Sequence, residues 1–279
     1  MLTNEFKADL HIHSYFSDGT CSPEEILFLA KEKNISVVSI TDHDTIEEYS
    51  SELFELSRKL NIRLIPGVEI SSELFDASVD ILGYDFDLDS PSLKQFLKEV
   101  QDKRRLRNIE ILRKLKENKV DISENELYEF AHRKKISNST VGRAHMAQLM
   151  VEKKYVKNIQ DAFDNLLKDE GPCYVSKFKF PSQTVIDEIH KANGKAFIAH
   201  PCIIKSSKVL KKLLTLPFDG LEAFYARLTL SQVNIWLRIA ENKNWLVSGG
   251  SDFHGDIKPY ITLGCSWIDE QRFNKLISR

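Results

Sequence analysis

The chain has 279 residues, of which 42% are hydrophobic and 29% are charged, and its formal net charge is −2. This length suits one large α/β barrel or two modest domains, and the composition is that of a folded protein rather than a disordered one. The small negative charge argues against binding along duplex DNA, because proteins of that class are usually basic. The sequence predicts neither a signal peptide nor a membrane span.

Four cysteines are spread along the chain, at Cys21, Cys173, Cys202 and Cys265, and none forms a CxxC pair. Such wide spacing does not indicate a disulfide framework. We therefore expect reduced thiols and a cytoplasmic location.

Short apolar runs alternate with helical patterns, which is typical of βαβ units and a parallel sheet. Seven strands are predicted, in the segments FKADLHI, VVSIT, RLIPGVEI, VDILGY, AFIAH, GLEAFY and WLVSGG. The stretch ITLGCSWI is a candidate edge strand. A first helix is predicted to open at Pro23 with Ser22 as its N-cap, and a second helix to cover residues 47–60.

Residues 92–183 show helical patterns and few strand signals. The run KEVQDKRRLRNIEILRKLKENK predicts a long charged helix with Ile109, Leu112 and Leu115 on one face. We therefore predict a mostly helical insertion at 92–183 within a discontinuous barrel domain of residues 1–91 and 184–279.

Candidate metal ligands begin at the end of the first strand. His11 and His13 are two residues apart, so their side chains lie on the same face of the strand. Asp18 follows in the turn Ser17-Asp18-Gly19. Taken alone, such a pair of histidines is more often a surface feature at a strand end than a pair of metal ligands.

Further acidic and imidazole side chains follow other predicted strands. They are His43, Glu69, His200, Asp252 and His254. Because active sites of parallel barrels form at the carboxyl ends of the strands, we expect these groups to meet at one rim. Mixed imidazole and carboxylate ligands suit zinc, manganese or iron, and their number is too large for one ion.

The segments ADLHIHSYFSDGT, SITDHDT, IPGVEIS, AHP and SGGSDFHG resemble, in order, the motifs of the PHP (polymerase and histidinol phosphatase) family. The resemblance covers nearly the whole chain. It implies an α/β fold, a distorted (β/α)7 barrel, with a trinuclear metal centre and phosphoester hydrolysis.

The resemblance also implies three sets of ligands, and the first two sets would share Glu69. The first set is His11, His13, Glu69 and Asp252; the second is Glu69, Asp80 and His200; the third is Asp18, His43 and His254. Asp80 is a departure, because members of the family usually have histidine there. The change predicts either a preference for manganese or a weaker second site.

The insertion resembles a subgroup that hydrolyses nucleoside 3′,5′-bisphosphates and trims short RNA from its 5′ end. The resemblance implies substrate phosphate-binding residues at Arg104, Arg107, Arg143, His145, Lys177 and Arg227. Guanidinium groups match phosphate oxygens well. For Arg104 and Arg107, a solvated helix face is an equal alternative.

The sequence therefore predicts a phosphatase for nucleoside 3′,5′-bisphosphates with two or three divalent ions of manganese, zinc or iron. The ions would supply the attacking hydroxide, and no side chain is expected to act as a nucleophile. The alternatives are a 5′-3′ exoribonuclease on short RNA, a phosphatase of histidinol phosphate or another small phosphomonoester, and a non-catalytic metal-binding module. The expected partner is a small nucleotide or short RNA.

Overall fold

The computed structural model describes residues 5–134, 136–175, 178–226 and 228–278. Strands and helices alternate through much of this chain. The strands are β1 (Ala8–Ile12), β2 (Val37–Ile40), β3 (Arg63–Leu64), β4 (Gly67–Leu74), β5 (Ala77–Tyr84), β6 (Phe180–Pro181), β7 (Lys195–Ile198), β8 (Gly220–Tyr225) and β9 (Leu246–Gly250). The α-helices are α1 (Pro23–Glu32), α2 (Ser51–Lys59), α3 (Pro91–Glu117), α4 (Glu124–Arg133), α5 (Arg143–Glu152), α6 (Ile159–Ala162), α7 (Ser182–Lys191), α8 (Ser207–Leu213), α9 (Leu230–Lys243) and α10 (Glu270–Ile277).

The strands form two sheets. One is parallel, in the order β1-β2-β3, and the other has six strands in the order β6-β4-β5-β7-β8-β9. Single bridges join the sheets, between Ile12 and Phe253 and between His43 and Glu69. The predicted α/β class is confirmed. The predicted (β/α)7 barrel is not, because the described strands form no closed barrel.

Strand β5 runs antiparallel to both of its neighbours, β4 and β7. Leu74 pairs with Ala77, so only Phe75 and Asp76 form the turn, with φ of 52° and 62°. Positive φ at both central residues is typical of a tight hairpin turn. A parallel neighbour would need a crossover of a dozen or more residues, so the expectation of an all-parallel sheet is wrong here.

Several predicted elements have different bounds in the structure. The segment RLIPGVEI is divided at Pro66, which has no N–H to donate to a ladder, into β3 and β4. The segment ITLGCSWI contributes one antiparallel bridge, between Ile268 and Ala8, and no strand. The second helix begins at Ser51 rather than at residue 47, whereas the first begins at Pro23 with Ser22 as its cap, as predicted.

Helix α3 passes through two hydrophobic clusters. Its first part contributes Leu93 and Phe96 to a cluster with the six-stranded sheet, and its last part contributes Ile111 and Leu115 to a cluster made only of residues 111–175. The helical character of the insertion is confirmed, while the domain division at residues 92 and 183 remains a prediction. None of the described helices is long and apolar enough to cross a membrane.

A buried ion pair fastens α3 to the edge of the sheets. The Asp44 carboxylate, in the loop after β2, accepts hydrogen bonds from Nη2 of Arg104 and, at 2.9 Å, from Nε. Its other oxygen accepts the backbone N–H of Ser71 at 2.8 Å. Gln101 Nε2 donates to the Asp44 carbonyl at 2.9 Å. These contacts hold the middle of α3 over the loop that carries His43.

We expect Asp44→Asn to lower the free energy of unfolding by about 3–5 kcal/mol, because it leaves the buried Arg104 guanidinium without its counter-ion. Urea denaturation of the two proteins measures the loss. Asp89→Asn is the control, because it removes an exposed carboxylate paired with Lys94 and should change stability little. Equal losses in the two variants would contradict the structural role of the buried pair.

Candidate metal centre and anion cavity

The carboxylate of Glu69, in β4, lies at the centre of four imidazoles and is 1% exposed. Its Oε2 lies 3.3 Å from Nε2 of His11, 3.2 Å from Nε2 of His13 and 3.3 Å from Nδ1 of His43. Its Oε1 lies 2.9 Å from Nε2 of His200. Both oxygens of the Glu69 carboxylate therefore lie beside imidazole nitrogens that can bind a metal ion.

The remaining donors surround this carboxylate. Oδ1 of Asp252 lies 3.6 Å from Nε2 of His11 and 3.4 Å from Nε2 of His13. Oδ1 of Asp18 lies 3.3 Å from Nε2 of His254. Three groups have donor atoms within 4.8 Å of one another: His13, Asp18, His43 and His254; His11, Glu69 and His200; and His11, His13 and Asp252. Eight of the nine predicted ligands belong to these groups.

Asp80 is the ninth predicted ligand and belongs to none of the three groups. It lies in β5, paired with Ser71 of β4, and its side chain lines a neighbouring small cavity that also contains Arg107. An aspartate carboxylate ends closer to the backbone than Nε2 of a histidine does. The structure therefore brings Glu69 and His200 together with His11, without Asp80.

The donor set fits divalent metal ions, because imidazole nitrogens and carboxylate oxygens converge in a buried place. Burial by itself would raise the pKa of Glu69, but His43 and His11 lower it well below its usual value. The pKa of Asp252 is likewise lowered despite its burial, chiefly by Lys258 and His254. Both carboxylates are therefore anionic, as metal ligands must be.

Glu222 is a supporting residue that the sequence analysis missed. Its Oε1 lies 2.9 Å from Nδ1 of His11, and its Oε2 accepts the backbone N–H of His200 at 2.8 Å. A carboxylate on the far nitrogen of a ligand imidazole orients the ring and sets its tautomer. The sequence GLEAFY could have indicated this role, because a glutamate within an apolar strand is costly to bury without a partner. The same argument identified Glu69.

Asp252 is held by two further residues, which the sequence analysis also missed. Its Oδ2 accepts hydrogen bonds from the hydroxyl of Tyr225 at 2.8 Å and from Nζ of Lys258 at 2.6 Å. Oδ1 is thereby turned towards His11 and His13. Nothing in the local sequence around these two residues marks them, because only the fold brings them to Asp252.

Three residues of this rim other than glycine have positive φ: Asp44 at 57°, His200 at 26° and Asp252 at 54°. Residues other than glycine rarely adopt this backbone conformation, and each instance costs free energy that favourable contacts nearby must offset. Buried hydrogen bonds next to the rim offset part of that cost. Asp42, for example, accepts the backbone N–H of Ser14 at 2.7 Å.

A cavity of about 130 Å³ adjoins the donor groups, and we call it the anion cavity. Asp18, His43 and Asp80 contribute acidic and imidazole groups to its lining, and four of the predicted phosphate-binding residues contribute basic and imidazole groups. These four are Arg104, Arg107, Arg143 and His145. The two other predicted phosphate-binding residues, Lys177 and Arg227, lie outside the described residues.

Arg107 is a buried cation that lines this cavity, and Asp44 and Asp80 are the acidic groups whose charges favour its charged form. The residue is 6% exposed, its Nε has no hydrogen-bond partner, and it forms no ion pair within the described chain. Burial, together with Arg104 and Arg143, lowers its pKa to about 9. Arg104 is 9% exposed. The alternative of a solvated helix face is therefore wrong for both arginines.

His145 is set up as a neutral hydrogen-bond donor. The backbone N–H of Gly142 donates to its Nδ1 at 3.1 Å, so the ring proton is on Nε2. Burial lowers the pKa of His145 to about 4. Its Nε2 is buried and has no hydrogen-bond partner in the described parts of the chain.

Lys179 is a further cation of the anion cavity, and it was not predicted. It donates a hydrogen bond to the hydroxyl of Ser78. Burial, and then Arg107, lowers its pKa to about 7. The family resemblance drew attention to Lys177 alone, and the short repeat KFKF was the only local sign of a second lysine.

Comparisons with known proteins agree with this geometry. The family model of the PHP domain matches residues 9–175, more than half of the chain. A "5'-3' exoribonuclease" of Haemophilus influenzae is 31% identical over 94% of this chain and 92% of its own length. A "3',5'-nucleoside bisphosphate phosphatase" of Chromobacterium violaceum is 27% identical over 88% of this chain and 86% of its own length.

A solved structure has the same fold over nearly the whole chain. It is described as a metal-dependent phosphoesterase from Bifidobacterium adolescentis, and it superposes with a TM-score of 0.85 at 25% sequence identity. The match covers 98% of this chain and 96% of that protein. The chain therefore belongs to the PHP family and is a metal-dependent phosphoester hydrolase.

Proposed function

We propose that this chain removes the 3′ phosphate of a nucleoside 3′,5′-bisphosphate. The observation that carries the proposal is the anion cavity, where the buried Arg107 guanidinium, which forms no ion pair within the described residues, faces a cluster of metal donors. A buried charge without a partner is unfavourable, and a phosphate group in the cavity would compensate it. About 130 Å³ is the space of roughly four water molecules, which suits a single phosphoryl group.

The cations would act on the reacting phosphate directly. Arg107 and Arg143 would donate to phosphoryl oxygens, and Lys179 would add a third positive charge. His145 would contribute a neutral N–H. Fixed donors of this kind stabilise charge that develops on the phosphoryl group during transfer.

Two or three divalent ions, of manganese, zinc or iron, would be held by the eight clustered residues, with Glu69 between them. Bound ions of this kind supply a water of lowered pKa as the nucleophile and polarise the phosphoryl oxygens. The protein would orient the metal ligands, as Glu222 does for His11 and His200. It would also keep the carboxylates of Glu69 and Asp252 deprotonated, because neighbouring groups lower their pKa values.

A 5′-3′ exoribonuclease activity on short RNA is the second candidate, and the H. influenzae relative favours it. The two substrates share their chemistry, because a nucleoside 3′,5′-bisphosphate is the terminal nucleotide of a 5′-phosphorylated RNA without the nucleotide that follows. One site could therefore hydrolyse both. Histidinol phosphate has less support, because the relatives compared above are named for RNA and nucleotide substrates. A non-catalytic module has less support, because it does not explain why buried cations lie beside the metal donors.

We expect the manganese-loaded protein to release phosphate from adenosine 3′,5′-bisphosphate, and Arg107→Ala to lower kcat/KM about 10²-fold or more, because a buried donor to the reacting phosphate is lost. A colorimetric phosphate assay measures both. Arg105→Ala is the matched control, because Arg105 lies on the same helix but is exposed and paired with Glu124.

Full activity after exhaustive chelation would refute metal dependence, and equal effects of the two arginine substitutions would refute the role of the anion cavity. His43→Ala, which removes a metal donor, should be inactive under the same conditions. Chromatography of products from a 5′-phosphorylated five-nucleotide RNA then tests the second candidate, for which stepwise release of 5′-nucleotides is expected.

We expect Asp80→His to retain more metal after dialysis than the wild type, by about one ion per chain, because Nε2 of histidine reaches further towards Glu69 and His200. Elemental analysis of the metal-to-protein ratio measures the change without reference to activity. Asp89→His adds an exposed histidine far from the site and is the control. An unchanged ratio in Asp80→His would indicate that Asp80 already completes the site.

We expect phosphate binding at pH 8 to take up protons through Lys179. Because its pKa of about 7 lies below this pH, Lys179 is mostly neutral there, and a bound anion raises its pKa and favours the charged form. Calorimetry of inorganic phosphate in two buffers of different ionisation heat measures the uptake. Lys179→Met should take up fewer protons than the wild type, whereas the exposed Lys98→Met should not differ.

A further inference from the structure

A second, much larger space borders the metal donors at Asp252. Its volume is about 1100 Å³, and we call it the open cleft. Tyr225 and Asp252 line it, and the hydroxyl of Tyr225 donates to Asp252 Oδ2 at 2.8 Å. The open cleft and the anion cavity share no lining residue. Different donors therefore border a space for one phosphate, at Asp18 and His43, and a space for a larger group, at Asp252.

The walls of the open cleft combine aromatic, apolar and hydrogen-bonding groups. Tyr260 is 84% exposed and Ile203 is 54% exposed, which is unusual for side chains of this size next to a buried site. Asn158 and Gln232 add amide groups, on the insertion and at the start of α9. Exposed aromatic rings beside amides are what unstacked nucleobases bind.

The charge of the open cleft suits a short single strand. Lys157, on the insertion side, forms no ion pair in the part of the chain that the structure describes, and it can meet a backbone phosphate. Asp256 also lines the open cleft and adds a negative charge. With a net charge of −2, the chain offers no long basic track, so only one or a few nucleotides would be held.

We propose that the open cleft binds the nucleotides that follow the scissile phosphate in a short single-stranded RNA, with Tyr260 as a stacking surface for a base. The inference rests on the proposed function, since the reacting phosphate must lie at the metal donors. It makes the open cleft the part of the molecule that distinguishes an oligonucleotide from a bisphosphonucleotide. Adenosine 3′,5′-bisphosphate has nothing beyond its 3′ phosphate and leaves the open cleft empty.

The test compares two substrates, adenosine 3′,5′-bisphosphate and a 5′-phosphorylated five-nucleotide RNA, in steady-state kinetics with the manganese-loaded protein. Tyr260→Ala should raise KM for the RNA about tenfold, the effect of losing one stacked base, and leave both constants for the bisphosphate unchanged. Tyr260→Phe keeps the ring and should behave as the wild type. Tyr155→Ala removes a tyrosine that lines neither space and is the matched control.

The outcomes separate this inference from the proposed function. If the wild type hydrolyses the bisphosphate but not the RNA, or if Tyr260→Ala leaves KM for the RNA unchanged, the open cleft is not an RNA site and the proposed function stands. An equal rise in KM for both substrates would place the nucleoside itself in the open cleft and overturn the inference. If the wild type hydrolyses neither substrate, the proposed function and the inference fail together.

Discussion

The structure depends on the place of one carboxylate, that of Glu69. Its backbone accepts the N–H of Asp44 at 2.9 Å and donates to the carbonyl of Asp42 at 3.2 Å, which joins the six-stranded sheet to the loop after β2. Its side chain is the group on which four imidazoles converge. A buried carboxylate needs such partners, because burial alone would favour its neutral form. The junction of the two sheets and the centre of the donor cluster are therefore the same residue.

The insertion adds charge of the opposite sign. Helices α3 and α5 carry arginines into a space walled by acidic and imidazole side chains, and the Arg104–Asp44 pair fixes α3 in that place. Arg104 is neutralised by this pair, whereas Arg107 forms no ion pair within the described chain and its Nε has no hydrogen-bond partner there. An uncompensated buried cation is unfavourable for folding and favourable for binding an anion. For this physical reason we propose that Arg104 mainly positions α3 and that Arg107 binds the phosphate.

The shapes of the two spaces set what kind of substrate fits. The anion cavity is small and charged, and the open cleft is large and mostly apolar with amides at its edge. We propose a phosphate group as the occupant of the anion cavity and a base with its ribose as the occupant of the open cleft. The tight hairpin of β4 and β5 matters here, because it places Asp80 in the lining of the anion cavity with the cations rather than among the clustered donors.

The sequence by itself determined the residue types of the site and that they would meet. Polar groups that follow apolar strands come together at one edge, so the histidines and carboxylates of five separate segments could be assigned to one cluster from their positions alone. Glu222 was also within reach of this reasoning, by the same argument as Glu69. The α/β class and the capped start of α1 follow from local patterns that need no long-range information.

Only the tertiary structure decided the direction of β5, the separation of Asp80 from the donor groups and the burial of Arg107. Whether a strand is parallel or antiparallel depends on which strand is its neighbour. A charged helix is predicted to face solvent unless the surface that covers it is known. The roles of Lys179, Tyr225 and Lys258 depend in the same way on contacts between segments far apart in the chain. Local sequence specifies which groups are available, but packing decides which of them lose their water and gain a partner, and that determines their charge and their chemistry.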